Sequence, residues 1–126
     1  MRYLLDSNIL IGFLNGDKKI ADWIWEKKKE NKFSLNVSFI GKIEILSHKG
    51  LKDNQINDLE AFLNSFNMIY LNDEIINLSA ALRRKGILSL GDAVIAATAI
   101  SNKLILATND KILVKKVKNF LEVLSI

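Results

Sequence analysis

Short apolar runs of strand length recur along the chain, separated by longer stretches with helical spacing. Tyr3-Leu4-Leu5 is the first, ending at Asp6. Phe33, Leu35 and Val37 then alternate with Ser34 and Asn36, which predicts a half-buried strand. Met68-Ile69-Tyr70-Leu71 and Leu104-Ile105-Leu106-Ala107 predict a third and a fourth. Between the first two, Ile9 to Leu14 reads as a short helix stopped by Asn15-Gly16-Asp17. A second helix runs from Lys18 to Glu30, with Ile20, Trp23, Ile24 and Lys27 on one face. Ser38 can cap a helix running to about His48 and closed by Gly50. Asp53 or Asn54 caps the next, whose Ile56, Leu59, Phe62, Leu63 and Phe66 lie three or four apart. A helix from about Asp73 to Lys85 is broken by Gly86. From Asp92 to about Ser101 the chain is apolar on all sides, which predicts a helix inside the protein. A short helix and the segment from Phe120 to Leu124 follow.

Strands alternating with helices predict an α/β fold with a parallel sheet covered on both faces. There is no proline, no Gly/Ser-rich linker and no internal repeat, so residues 1–126 read as a single domain. Ligands of such sheets gather at the carboxyl ends of the strands. Acids just after a strand therefore stand out.

Composition narrows the chemistry. The absence of cysteine excludes disulfides, thiolate zinc sites and a cysteine nucleophile, and the single histidine, His48, excludes multi-histidine metal sites. Carboxylates and hydroxyls remain. The net charge of +4 suits an anionic partner such as nucleic acid, and lysines outnumber the three arginines, which favours phosphate attraction over bidentate base reading. The amino terminus meets Asp6 where a signal peptide would continue apolar, and the stretch from Ala93 to Ile100 falls far short of the roughly 20 residues of a membrane helix. A soluble, cytoplasmic protein with no membrane partner is expected.

Four acids occupy unusual places. Asp6 follows the first strand and Asp110 the fourth, Asp92 sits in the first turn of the most apolar helix, and Glu44 lies among Phe39, Ile40, Ile43, Ile45 and Leu46. Taken singly, the three aspartates can be helix caps and Glu44 a solvent-facing residue. Taken together, they are the pattern of an oxygen-ligand metal site. Clustered carboxylates raise one another's pKa unless a cation neutralises them. Hard oxygen ligands select Mg²⁺ or Mn²⁺. One such ion, or two about 4 Å apart, can activate a water against a phosphodiester.

These residues carry a family resemblance. Leu4-Leu5-Asp6-Ser7-Asn8-Ile9-Leu10, Ser38 with Glu44 six residues on, Gly91-Asp92-Ala93-Val94-Ile95-Ala96-Ala97-Thr98-Ala99 and Ala107-Thr108-Asn109-Asp110 resemble the four motifs of the PIN domain. The chain is similar in particular to the VapC-type ribonuclease toxins of prokaryotic toxin–antitoxin pairs. The resemblance implies a three-layer α/β/α sandwich with a central parallel sheet. It also implies a metal-dependent endoribonuclease in which Asp6, Glu44, Asp92 and Asp110 are catalytic and hold one or two Mg²⁺ or Mn²⁺ ions. Ser7, Asn8, Ser38 and Thr108 then orient those ligands. An RNA substrate, a cognate antitoxin and a homodimer are the implied partners. The chain departs from the family pattern at Gly41, where relatives often carry threonine. It departs again at Lys111-Ile112-Leu113, where they often show an acid and a phenylalanine.

Arg83-Arg84-Lys85 ends a helix just before the Gly91-Asp92 motif, either complementing the helix dipole or attracting RNA phosphates. Lys27-Lys28-Lys29 reads as a solvated face, Trp25 either packs or serves a partner groove, and His48 has no catalytic role. Two competing functions remain. A PIN-like module that has lost catalysis would bind RNA or protein without metal. An aspartyl-phosphate at Asp6 would want Asp-x-Asp, whereas position 8 is Asn8. No Gly-x-Gly-x-x-Gly is present for a dinucleotide.

Overall fold

The computed structural model describes residues 1–31 and 33–126. Among these residues five strands form one sheet: β1 (Tyr3–Leu5), β2 (Leu35–Ser38), β3 (Asn67–Ile69), β4 (Ile105–Ala107) and β5 (Val123–Leu124). Their order is β3-β2-β1-β4-β5 and every pairing is parallel, with Leu4 opposite both Asn36 and Leu106. The segment expected after the last helix supplies β5, and β3 begins one residue earlier and ends two earlier than the apolar run.

Among the described residues seven helices connect the strands: α1 (Ser7–Leu14), α2 (Lys18–Glu30), α3 (Phe39–Leu46), α4 (Asp53–Asn64), α5 (Asp73–Arg84), α6 (Leu90–Ser101) and α7 (Lys111–Val117). Strand alternation sends Leu4 and Leu106 to one face of the sheet, where they meet Ile75, Leu82, Ala93, Ala96 and Leu113 of α5, α6 and α7. Tyr3, Leu5, Ile105 and Ala107 face the other way, onto Ile9, Leu10, Ile20, Ile24 and Leu63 of α1, α2 and α4. The result is the three-layer α/β/α sandwich expected. Among the described residues no helix is long and apolar enough to cross a membrane.

Three local expectations need correction. The second strand is buried on both faces, because Asn36 lies inside with its amide nitrogen donating to the Tyr3 carbonyl (2.9 Å) and its oxygen accepting from Asn67 (2.6 Å). Paired in this way, a polar residue sits in a core without an unsatisfied group. The fourth helix starts at Asp53 with Lys52 as its cap, because Gln55 reaches back to accept from the Lys52 backbone N–H (2.9 Å). The sixth starts at Leu90, capped by Ser89, so Asp92 is the third residue of the helix and not its cap. Residues Ala93 to Ala99 of α6 are all buried, as its uniform apolarity requires.

Candidate functional site

Asp6 stands at the carboxyl end of the central strand. It caps α1, its Oδ1 accepting from the Ser7 N–H (2.9 Å), while Oδ2 accepts from Thr108 Oγ1 (2.7 Å) and Asn8 Nδ2 (3.1 Å). Only 9% of its surface is exposed. Burial pushes its pKa up, the Thr108 and Ser7 hydrogen bonds oppose the shift, and the nearby charges of Asp92 and Asp110 add to it. Backbone pairing fixes the strand end: the Asp6 N–H donates to the Ala107 carbonyl (3.0 Å) and the Thr108 N–H to the Leu124 carbonyl (2.9 Å).

Glu44 comes from α3, on the neighbouring connection. Ser7 Oγ donates to Glu44 Oε2 (2.9 Å), which ties α3 to the start of α1. Much of Glu44 is exposed, yet partial burial raises its pKa, the Ser7 bond opposes this, and Asp6 and Asp92 raise it further. Asp92 is partly buried in the first turn of α6. Gly91 beside it borders Glu44: a Cβ at position 91 would lie 3.9 Å from Glu44 Oε1, an ordinary contact. Asp6, Glu44 and Asp92 therefore share one electrostatic neighbourhood.

Asp110 lies at its margin. It does not follow β4 directly, since Thr108 and Asn109 intervene, and it caps α7, with Oδ1 accepting from the N–H groups of Ile112 (3.0 Å) and Leu113 (3.1 Å). Its charge is felt by Asp6. The cap and cluster readings of Asp6 and Asp110 thus coexist.

The polar residues around the acids divide. Ser7, Asn8 and Thr108 touch them directly, and Asn8 Oδ1 also accepts from the Asn109 N–H (3.1 Å), stitching the first motif to the fourth. Ser38 touches no acid. Fully buried, it accepts from the Gly41 N–H (3.1 Å) and fixes where α3 begins. Ser89 was not singled out by its residue type, though Ser89-Leu90-Gly91-Asp92 follows the Ser-x-x-acid capping pattern that would have found it; its Oγ accepts from the Asp92 N–H (3.2 Å). Arg83 donates to the Leu88 carbonyl (2.7 Å), fastening the turn into α6 that Gly86 makes with φ +78°. Lys85 lies 5.8 Å from the Phe120 ring.

The cluster has no basic partner: among the described residues the one ion pair joins Lys27 to Glu30 (3.6 Å). Nor do three acids, as their side chains lie, converge tightly enough among the described residues to grip one ion. Ser7 holds Glu44, α7 holds Asp110, and Asp6 accepts from three protein donors, which leaves its carboxylate further acceptor capacity. The donor set is nevertheless all hard oxygen and anionic, the chemistry that Mg²⁺ or Mn²⁺ requires. Beside Glu44 a largely apolar hollow of about 520 Å³ opens between α1, α3 and α4, lined by Ile11, Leu14, Ile45, Leu51 and Leu59, with His48 exposed at its rim.

The family model of the PIN domain matches residues 3–119. Among solved structures, a toxin–antitoxin complex from Klebsiella pneumoniae is 28% identical, with 97% of this chain and 95% of that chain covered and a TM-score of 0.77. VapBC2 from Rickettsia felis, bound to a DNA fragment from its promoter, is 24% identical, covering 100% and 99%, with a TM-score of 0.81. VapBC-1 from nontypeable Haemophilus influenzae is 24% identical, covering 99% and 98%, with a TM-score of 0.77. Among curated proteins no sequence matches the chain.

Proposed function

The chain belongs to the PIN domain family, and from that premise we propose that it is a divalent-metal-dependent endoribonuclease, the toxin of a prokaryotic toxin–antitoxin pair. The observation that carries this reading is the electrostatic coupling of Asp6, Glu44 and Asp92, brought from three separate connections to the carboxyl end of a parallel sheet, with no ion pair to a basic side chain among the described residues. Asp110 is the fourth member. An anionic cluster left without a counter-charge is costly, and a bound cation offsets that cost.

When bound, Mg²⁺ or Mn²⁺ would supply charge for a non-bridging phosphate oxygen and a water of lowered pKa. Asp6, Glu44 and Asp92 would hold it. The remaining work falls to the chain. Thr108 and Asn8 keep the Asp6 carboxylate from rotating, Ser7 aims Glu44, and Ser89 sets the first turn of α6 and with it Asp92. Arg84 and Lys85 lie exposed at the end of α5 and supply attraction for the RNA backbone, whereas Arg83 already donates to Leu88.

Partners follow from the same surface. The apolar hollow beside Glu44 supports an antitoxin polypeptide seated across the acids, as complexes of this type are the similar structures. A second hollow of about 350 Å³, flanked by exposed Ile43 and Tyr70, supports a homodimer. The working compartment is the cytoplasm, where RNA substrate is found.

The test is cleavage of RNA by purified protein with Mn²⁺ or Mg²⁺, against the same preparation in EDTA. Asp6→Asn and Asp92→Asn are each expected to lower the rate at least about a hundredfold, the scale of a lost electrostatic group at a reacting centre. Equal cleavage by wild type and both variants refutes the assignment. Metal-independent RNA binding without any cleavage favours the binding module instead.

A further inference from the structure

Away from the acids, α1, α2 and α4 enclose a second kind of pocket, about 340 Å³ in volume and lined chiefly by aromatic rings. Phe13 stacks on Phe62 (centroids 5.2 Å, planes 12° apart), and Phe62 meets Phe66 edge-on (5.2 Å). Trp25 stands at the mouth with 58% of its surface exposed. An indole left in water beside a pocket keeps a large apolar ring available for stacking.

One cation faces these rings. Lys28 Nζ lies 4.4 Å from the Phe66 centroid and donates to Ser65 Oγ (3.3 Å). No carboxylate pairs with it among the described residues. Partial burial lowers its pKa, as expected of a charge that has lost water without gaining a counter-ion. An ammonium has three donors, and Ser65 takes one. The remaining donors, a flat indole and a ring-lined floor form the combination that binds single-stranded nucleic acid: stacking for a base, charge for its phosphate.

We infer that Trp25, Lys28 and the Phe62–Phe66 floor form a second nucleotide-binding subsite, which holds one residue of a single-stranded RNA with its base on Trp25 and its phosphate on Lys28. The choice of RNA as ligand rests on the proposed nuclease reading. Position supports it as well. Asp6 caps the amino end of α1 and Phe13 lies near its carboxyl end, and those eight residues span roughly 12 Å. The acids and the pocket are thus separated by about the length of one short helix.

The experiment measures binding of a fluorescein-labelled, mixed-sequence 12-nucleotide RNA by anisotropy in EDTA, at several salt concentrations, with the full chain. Binding without metal is read apart from cleavage, so a protein that never cuts RNA sinks the nuclease reading without touching this measurement. Trp25→Ala is expected to raise Kd about tenfold. Lys28→Gln should weaken binding and flatten the slope of log K against log salt by about 0.7. Lys29→Gln, an exposed neighbour, is the control for diffuse charge and should change Kd less than twofold. The assignment is overturned if Trp25→Ala and Lys28→Gln bind within twofold of wild type, or if Lys29→Gln loses as much as Lys28→Gln. It is equally overturned if both pocket variants keep RNA affinity and lose only that for a polypeptide partner.

Discussion

Replacing Thr108 by valine removes one oxygen and leaves the shape of the side chain nearly unchanged. That oxygen is fully buried and makes three hydrogen bonds: it donates to Asp6 Oδ2 (2.7 Å) and accepts from Asn8 Nδ2 (3.0 Å) and the Asp110 N–H (3.1 Å). All the bonding capacity of a hydroxyl is used. The bond to the carboxylate contributes about 2 kcal/mol, and the Asp110 N–H left without its acceptor costs about 1 kcal/mol more. Asn8 still reaches Asp6, so its loss is smaller. Thr108→Val should therefore destabilise the domain by about 3 kcal/mol, a fall in Tm of about 10 °C for a chain of this size. Urea unfolding with an unchanged slope measures the energy. A second readout isolates the cause: the Thr108 bond lowers the pKa of Asp6, so its removal should move the Asp6 titration, followed by carboxyl NMR shifts, further upward. Thr108→Ser keeps the hydroxyl and should restore the titration. A Thr108→Val protein within about 0.5 kcal/mol of wild type, the range of an uninvolved surface change, refutes the account of how Asp6 is held.

Three other outcomes are expected. Asp6 and Glu44 have pKa values raised in the folded chain, so from about pH 4 upward the folded state binds more protons than the unfolded one, and the metal-free protein should lose stability as pH rises through that window. Thermal melts in EDTA check the sign, and added Mn²⁺ near neutral pH should reverse the loss. At Gly41 a Cβ would lie 3.5 Å from Ser38 Oγ and 3.7 Å from Val37 Cγ1, ordinary contacts, so Gly41→Ala should stabilise by about 0.5–1 kcal/mol in urea titration. Asn36→Ala strips the Tyr3 carbonyl and Asn67 of their buried partner and should cost about 2 kcal/mol by the same assay.

Much of the architecture was legible because its signals are local. Four apolar runs and an all-apolar helix announced a covered parallel sheet, and each lies where the pattern put it to within a few residues. Asn36 was misread because alternation reports polarity, and polarity equals exposure only when no partner waits inside; its partners, Tyr3 and Asn67, are 33 and 31 residues away. The start of α6 was misplaced for a related reason: Asp92 and Ser89 are both good caps by type, and the choice depends on the Arg83–Leu88 bond and the Gly86 turn before them. At the site, the motifs named acids that feel one another's charge, but not their attachments. That Ser38 serves the helix while Ser7 serves Glu44 follows from packing, not from spacing.

Strand β1 lies in the middle of the sheet, and its flanking partner β4 enters about a hundred residues later; the bond from Thr108 to Asp6 spans 102 positions. Synthesis from the amino terminus therefore delivers Asp6 about a hundred residues before the strand and the threonine that complete its surroundings. The surroundings of Asp6 can thus close only once β4 has been made, a delay set by the order of the strands in the sheet.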